Sequence, residues 1–564
     1  MSVGVFKDLR PSDLGLDPAA FPAYRELQIE AAEWAAEAFD THRFVAAAIP
    51  TGGGKSLFAA TLARILGRRT VYLTITKALQ AQYMRDFQSI GLVDIQGKSN
   101  YPCQDLAHLD CLAGGVVGCR YLKGKGCSYE TAKGVARNAQ HVVTNYAYWM
   151  GVNDQANGLE RTEAEAEWAG DNPVELLVLD EGHDAADKLA SYISCQLLES
   201  QLKRFGEFPK NESMEDWSRF AKDNLEELEA EIKTTQQELI FMGKKVRSEH
   251  VQVLHGLQRL SSKLNRLAFA GGDDWIVEKR EGTKYGRLWN FDSVFPGKYA
   301  EKYLFCDVPR VLVMSATLKP KTMGMLGVKR ENFQYRSWRR IFPENRCPIY
   351  MTGAKKEDGK TTIRIDNKTS KDEMLEVVAW LDEKIIGPRL DRKGLIHTVS
   401  YARAEFLMEH SKYRELMVGN TGDPDSESAW EVAEKFRKSS GPKILVSPSF
   451  GTGWDFADDA CEYIVCLKVP FESAVSKIVK ARCAKDPQYA DYRAMQALEQ
   501  AAGRGMRHMA DRCEVILCDG HFEWFVYKNA GLAQDWFVKA IRRVPEAPKP
   551  PKKLSEDKEV TAKK

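Results

Sequence analysis

A chain of 564 residues with 44% apolar side chains can bury several cores, about four at the usual domain size of roughly 150 residues. Its 81 Lys and Arg stand against 79 Asp and Glu, a net charge of +2, which excludes a uniformly basic or acidic binding protein; a surface for a charged polymer has to be a local patch. No run of about 18 apolar residues occurs, and the opening MSVGVFKDLRPSDLGLD lacks the apolar stretch of a signal peptide, so no membrane span and a reducing, cytoplasmic compartment are expected.

In chain order, RELQIEAAEWAAEAF is Ala/Glu-rich and reads as a helix. FVAAAIP is a short apolar strand that runs into a Gly-rich turn, and SLFAATLARILG is a helix with Gly67 as its stop. TVYLTIT is a β-branched strand. This alternation predicts a parallel sheet covered by helices. From Tyr101 to about Gly134 the pattern breaks into Gly, Lys and Cys, and strands return at HVVTN and ELLVLD. The first sheet is therefore interrupted by an insertion.

A second insertion follows. Leu225, Leu228, Ile232 and Leu239, then Leu254, Leu257, Leu264 and Leu267, keep near-heptad spacing on either side of Gly243, which predicts an antiparallel helical hairpin. Core packing is the main use of those leucines. VLVMSAT closes this half, and further strands are expected near FPENRCPIYM and at GLIHTV, KILVSPS, EYIVCL and EVILCD, in a second α/β domain. The tail from Pro545 is rich in Pro, Lys and Glu and is expected to be disordered.

The strongest motif is PTGGGKS, between an apolar strand and a helix, the setting of a phosphate-binding loop. Thr51, Gly52, Gly53 and Gly54 would bring backbone N–H groups to the phosphates, Lys55 would neutralise the β- and γ-phosphates, and Ser56 would bind Mg²⁺. Ile49 stands where the general pattern has its first glycine. In LLVLDEGHD a buried strand delivers Asp180 and Glu181 to its C-terminal edge, where open α/β sheets bind ligands. Asp180 would hold Mg²⁺ and Glu181 would orient or deprotonate the attacking water, for in-line hydrolysis of ATP. QAAGRGMR places Gln500, Arg504 and Arg507 in the second half; two arginines three residues apart would share a helical face and stabilise charge on the transferring phosphoryl group. Cys103, Cys111, Cys119 and Cys127 are the clustered members of 12 cysteines, seven residues separating each neighbouring pair, and without a secretory signal they read as a metal site. Four thiolates suit zinc as well as an iron–sulfur cluster.

These motifs, in this order, resemble the core of superfamily 2 helicases, and more closely the XPD/DinG family. RELQ, with Arg25 and Gln28, resembles its adenine-reading element; TITKALQAQ resembles motif Ia on the nucleic-acid face. DEGH resembles the DEAH box with Gly182 in place of Ala, and His183 would couple the ATP state to motif III, here MSATL. HTVSY resembles motif IV, SFGTGWDF motif V (with Gly453 and Asp455 near the nucleotide), and QAAGRGMR motif VI. The resemblance covers residue 25 to about 520.

It implies two RecA-like parallel-sheet domains: domain 1 from 1–100, 131–190 and 290–335, domain 2 from 336–544, and a tail from 545–564. Residues 101–130 would be a [4Fe–4S] insertion on the four cysteines, with zinc as the alternative, and 191–289 a short, helical arch-like insertion. Lys98, Arg120, Lys123 and Lys125 would touch phosphates and Tyr101, Tyr121 and Tyr129 would stack on bases. The implied activity is an ATP-dependent helicase or translocase, 5′ to 3′ on single-stranded DNA, acting on tailed duplex or hybrid in repair, replication or recombination. A monomer is expected, in a host cytoplasm if the compact chain is viral. The rival readings are a strand-binding ATPase remodeller that does not unwind, and a P-loop kinase or metabolic ATPase, against which motifs Ia, III, V and VI argue.

Overall fold

The computed structural model describes residues 8–116, 119–121, 126–158, 172–242, 245–272, 274–283, 286–352, 363–366, 368–420, 427–448, 456, 460–506, 511–546, 548 and 550. The chain forms two compact units, one of 1–48, 55–336 and 475–485, the other of 49–54, 337–474 and 486–564.

The first unit carries β1 (Phe44–Ala48), β2 (Thr70–Thr74), β3 (Leu92–Asp94), β4 (His141–Asn145), β5 (Leu176–Leu179), β6 (Cys195–Leu198), β7 (Trp275–Thr283), β8 (Gly286–Ser293), β9 (Val311–Ser315) and β10 (Phe333–Ser337). Seven of them form one sheet in the order β10-β1-β9-β5-β2-β4-β3. The pairs from β1 to β3 in that order are parallel. Every residue of β1, β2, β5 and β9 is buried, as expected where helices cover both faces of a parallel sheet. Helices α1 (Glu26–Ala38), α2 (Lys55–Leu66) and α3 (Lys77–Phe87) alternate with these strands. The Thr76 hydroxyl caps α3 by accepting from the Leu79 N–H at 3.1 Å.

The cysteine insertion lies between β3 and β4 and contains α4 (Cys111–Val116) and α5 (Ser128–Asn138). The later insertion holds the expected hairpin, α6 (Met214–Met242) and α7 (Ser248–Phe269). Leu228, Leu239, Leu254, Leu257, Leu264 and Leu267 are buried, so those leucines are core. Leu239, Val246, Val251 and Leu254 form one apolar cluster with Cys103, Leu109 and Ala113, so the two insertions share a core.

Two boundaries differ from the sequence reading. The stretch 191–289 is not helical throughout: β6, β8 and β7 make an antiparallel sheet, with Trp275 and Val277 of one strand and Trp289 and Phe291 of the next buried at alternate positions. Val475–Lys485, read as part of the second domain, belongs to the first unit. Its helix Lys477–Lys485 is fixed there by ion pairs of Lys477 with Glu212 and Lys485 with Asp274, and by Arg482 Nε donating to the Val294 carbonyl at 2.8 Å.

The second unit carries β11 (Ile349–Met351), β12 (Gly394–His397), β13 (Met417–Gly419), β14 (Ile444–Ser447), β15 (Tyr463–Cys466), β16 (Glu514–Leu517) and β17 (Ile541–Arg543). They form a sheet in the order β13-β14-β12-β15-β16-β11-β17, every pair parallel. Two parallel α/β sheets are thus present, as the motifs implied. Gly453, Asp455, Arg507, Lys123, Lys125 and the tail 551–564 lie outside the described residues.

Candidate active site

The phosphate-loop motif joins β1 to α2. Gly52 and Gly54 have φ of 74° and 77°, a left-handed backbone that a side chain would disfavour, and the Gly53 N–H closes the turn on the Pro50 carbonyl at 2.9 Å. Lys55 then opens α2, so the lysine and Ser56 stand in the first turn, where free N–H groups favour an anion.

β5 ends at Leu179, and the next residues turn out of the sheet. Glu181 has φ 49°, an uncommon left-handed state for a side-chain-bearing residue, which costs about 1 kcal/mol and marks a site the surroundings enforce. Asp180 is 2% exposed. Its Oδ1 accepts the Glu181 N–H at 2.8 Å and its Oδ2 accepts the Tyr83 hydroxyl at 2.9 Å. Tyr146 donates to the Asp180 carbonyl at 3.1 Å. Burial, then the charge of Glu181, push the Asp180 carboxyl up to about 6, against the pull of Lys55 and Tyr83. Lys55 Nζ lies 3.5 Å from Glu181 Oε1. Two carboxylates beside one ammonium leave a net negative site, which suits a divalent cation.

His183 ties this edge to β9. Its Nδ1 is 2.7 Å from the Ser315 hydroxyl and 3.3 Å from Glu181 Oε2, and the Ser315 hydroxyl also accepts the Thr317 N–H at 3.2 Å. Gly182 has a physical reason to lack a side chain: a Cβ there would sit 2.4 Å from Val313 Cγ1. Sequence reading named Lys55, Ser56, Asp180, Glu181 and His183, and the structure brings all five to one edge of one sheet. It missed Tyr83; the signal was the spacing of Gln80, Tyr83 and Phe87 on the buried face of α3.

Gln28 is buried and its Oε1 accepts the Arg25 N–H at 2.8 Å, so part of its amide closes the start of α1. In the second unit the helix Tyr489–Gly503 stops before the arginines. Arg504 is its buried C-cap and Gln500 is half-buried in its last turn; Arg507, the second arginine of the expected helical face, lies outside the described residues. Just past the helix, Gly505 has no room for a side chain, since a Cβ there would meet Cys513 Sγ at 2.3 Å.

All twelve cysteines are free thiols. Cys103, Cys111, Cys119 and Cys127 line one cavity with Gly115 and Tyr121. Cys103 and Cys119 Sγ are 3.7 Å apart, Cys111 and Cys127 3.5 Å. Among the described residues no group of three or more His, Cys, Asp or Glu is arranged to hold an ion, because the thiols meet in pairs. The donor set nevertheless fits a thiolate-ligated group. The Leu106 N–H points at Cys103 Sγ at 3.4 Å, as donors do around metal-bound sulfur, and Gly114 leaves Cys103 its room, since a Cβ there would be 2.4 Å from the sulfur. Burial and then Cys127 push the Cys111 thiol up to about 12, so without a cation Cys111 is a neutral thiol. Of the residues expected to stack on bases, Tyr129 is buried, packed on Tyr101 at 5.5 Å and bonded to the Tyr148 hydroxyl at 3.1 Å, which removes it from that list. Lys98 lies over the Tyr129 ring at 5.3 Å, and Arg120 pairs with Asp105 at 2.8 Å.

The family described as "Helicase C-terminal domain" matches residues 389–536, and "Type III restriction enzyme, res subunit" matches 22–209. A solved structure titled "XPD_Helicase" superposes with a TM-score of 0.61 at 16% identity, over 92% of this chain and 99% of that one. The chain therefore carries matches to two helicase-type family models, one in each half, and shares its fold with that structure. Xpd4 of S. tokodaii aligns with a TM-score of 0.54 at 13% identity, over 92% of this chain and all of that one. The ATP-dependent DNA helicase YoaA of Haemophilus influenzae is 29% identical over 147 residues, 24% of this chain and 21% of that protein, so the match spans about a fifth of YoaA. No helix of the described residues is long and apolar enough to cross a membrane.

Proposed function

We propose that this XPD/DinG-like chain hydrolyses ATP to move along single-stranded DNA, 5′ to 3′, and to separate duplex or hybrid with a single-stranded tail. The observation that carries this reading is the wired edge of the first sheet. Lys55, Asp180 and Glu181 gather the charges a Mg²⁺–triphosphate needs, and the His183–Ser315 bond links them to the strand that leads into MSATL. Ser56 and Asp180 are the proposed Mg²⁺ ligands, and Glu181 the group that orients the attacking water. Arg25 and Gln28 are proposed to read adenine; Thr51 to Gly54 hold the phosphates; Gly453 and Asp455 contribute near the nucleotide. Arg504, Arg507 and Gln500 stabilise the transferring phosphoryl group. Cys103, Cys111, Cys119 and Cys127 are proposed to hold a [4Fe–4S] cluster, zinc being the alternative, which when bound would tie four separate segments into one rigid knot. A role in DNA repair, replication or recombination, in a cytoplasm, and a monomeric state complete the reading.

Separating base pairs costs about 1.4 kcal/mol per step. The deciding experiment therefore uses ATP with duplexes carrying a 5′ or a 3′ single-stranded tail. Release from the 5′-tailed duplex alone is expected. ATP turnover stimulated by single strands without release from either duplex would replace the helicase by the remodeller, and turnover indifferent to single strands would remove both. Iron with acid-labile sulfide, about four of each per chain, would identify the cluster; zinc without sulfide would identify the alternative.

A further inference from the structure

Tyr83 is 1% exposed, and its hydroxyl stands between the two side chains proposed as Mg²⁺ ligands. It donates to Asp180 Oδ2 at 2.9 Å, and the Ser56 side chain lies near enough to favour its charged form. Since Asp180 Oδ1 is already held by the Glu181 N–H, the phenol fixes the remaining degree of freedom of that carboxylate. The ring itself cannot swing. It packs on Phe87 at 5.5 Å and Tyr72 at 5.5 Å, and Phe87 stacks in turn on Phe21 at 5.3 Å.

The hydroxyl therefore goes where α3 goes. The other end of α3 begins at Thr76 and the exposed Lys77, whose Nζ bonds Asn100 Oδ1 at 2.6 Å. From Thr76 to Tyr83 the helix is about 10 Å long and has no glycine or proline to bend at. A shift of the first turn is carried to the hydroxyl with little loss. We propose that Tyr83 is a positioning residue: it orders Asp180 for the divalent cation, and through α3 it makes that order respond to a nucleic-acid strand at Thr76 and Lys77. The inference rests on the reading of Asp180 and Ser56 as the cation site.

The test uses the full chain, a non-hydrolysable ATP analogue and Mn²⁺, whose free signal is read by electron paramagnetic resonance. Tyr83→Phe keeps the packed ring and removes only the O–H. Expected is a loss of about 10-fold or more in Mn²⁺ affinity, the usual effect of removing a group that orients a metal ligand. Nucleotide affinity in chelator and the thermal midpoint should stay unchanged, and a single-stranded oligonucleotide should no longer shift Mn²⁺ affinity as it does in the unaltered chain. Asp180→Ala separates the two readings. If Asp180→Ala weakens Mn²⁺ binding while Tyr83→Phe leaves both the affinity and its response to the oligonucleotide intact, the positioning role is wrong and the cation site stands. If Asp180→Ala has no effect, the cation site itself falls.

Discussion

The nucleotide edge and the cysteine cavity are both largely buried, yet they are held in opposite ways. At the first, three side chains are fixed by protein: Asp180 by a backbone N–H and Tyr83, His183 by Ser315, Glu181 by its own left-handed turn. At the second, four thiols meet in pairs, and one pair, Cys103 and Cys119, joins a small apolar cluster shared with the tip of the α6–α7 hairpin. A site made of backbone and interior hydrogen bonds is ready before its ligand arrives. A site made of thiols gains its final order from what it binds, because ligand binding and local folding are then one equilibrium.

The hardest blow to the first region is Lys55→Ala. It removes the cation that faces Glu181 at 3.5 Å, and ATP turnover should fall by about 10³-fold or more while single-strand binding is retained. Normal turnover would withdraw the phosphate-loop assignment. The matching blow to the second region is Cys111→Ser. It should release the bound iron or zinc, expose residues 101–134 to protease and abolish unwinding, while the secondary structure of the parallel sheets persists in circular dichroism. Unchanged metal content and proteolysis would show that the cavity is organised without a ligand, like the nucleotide edge.

A gentler probe asks how tightly the first region is packed. Gly182→Ala would place a methyl 2.4 Å from Val313 Cγ1, so β9 and the DEGH turn must separate. The expected cost is about 1–3 kcal/mol, together with lower turnover as His183 moves from Ser315. Val313→Ala should restore much of both in the double variant, a coupling visible in a mutant cycle. Additive losses would mean that the glycine serves something other than room for Val313.

What could be read beforehand follows the same division. The apolar runs and the glycines of PTGGGKS point to both sheets and the five charged or hydroxyl residues at the nucleotide edge, because backbone geometry needs those residue types at those places. The antiparallel β8 is readable in the alternation of Trp289 and Phe291 with Asn290 and Asp292, whereas Ile276 between Trp275 and Val277 blurs the same signal in β7. The spacing of Gln80, Tyr83 and Phe87 marks Tyr83 as buried, but its pairing with Asp180, 97 residues away, is not legible in the sequence. Nor is the contact of Gly505, just past the helix end at Gly503, with the Cys513 thiol.

The mildest probe uses His141, the first residue of β4, where the chain returns from the cysteine insertion to the sheet. Its ring is buried, 3.5 Å from the Tyr72 hydroxyl and near Arg64. Burial first, then that arginine, lower its pKa to about 4 from the ordinary 6.5. The unfolded chain therefore takes up a proton at a higher pH than the folded one does. The contribution of neutral His141 to stability is complete above about pH 6.5 and is lost as pH falls towards 4, by about 3 kcal/mol at most. His141→Leu cannot take up that proton, so its stability relative to the unaltered chain should rise as pH drops from 7 to 4.5 in urea unfolding. A difference that stays constant with pH would show that the histidine is not held neutral. If the unaltered chain loses its cysteine insertion to protease at pH 5 while the nucleotide edge still binds ATP analogue, the two regions come apart in the order their construction predicts, the ligand-dependent one first.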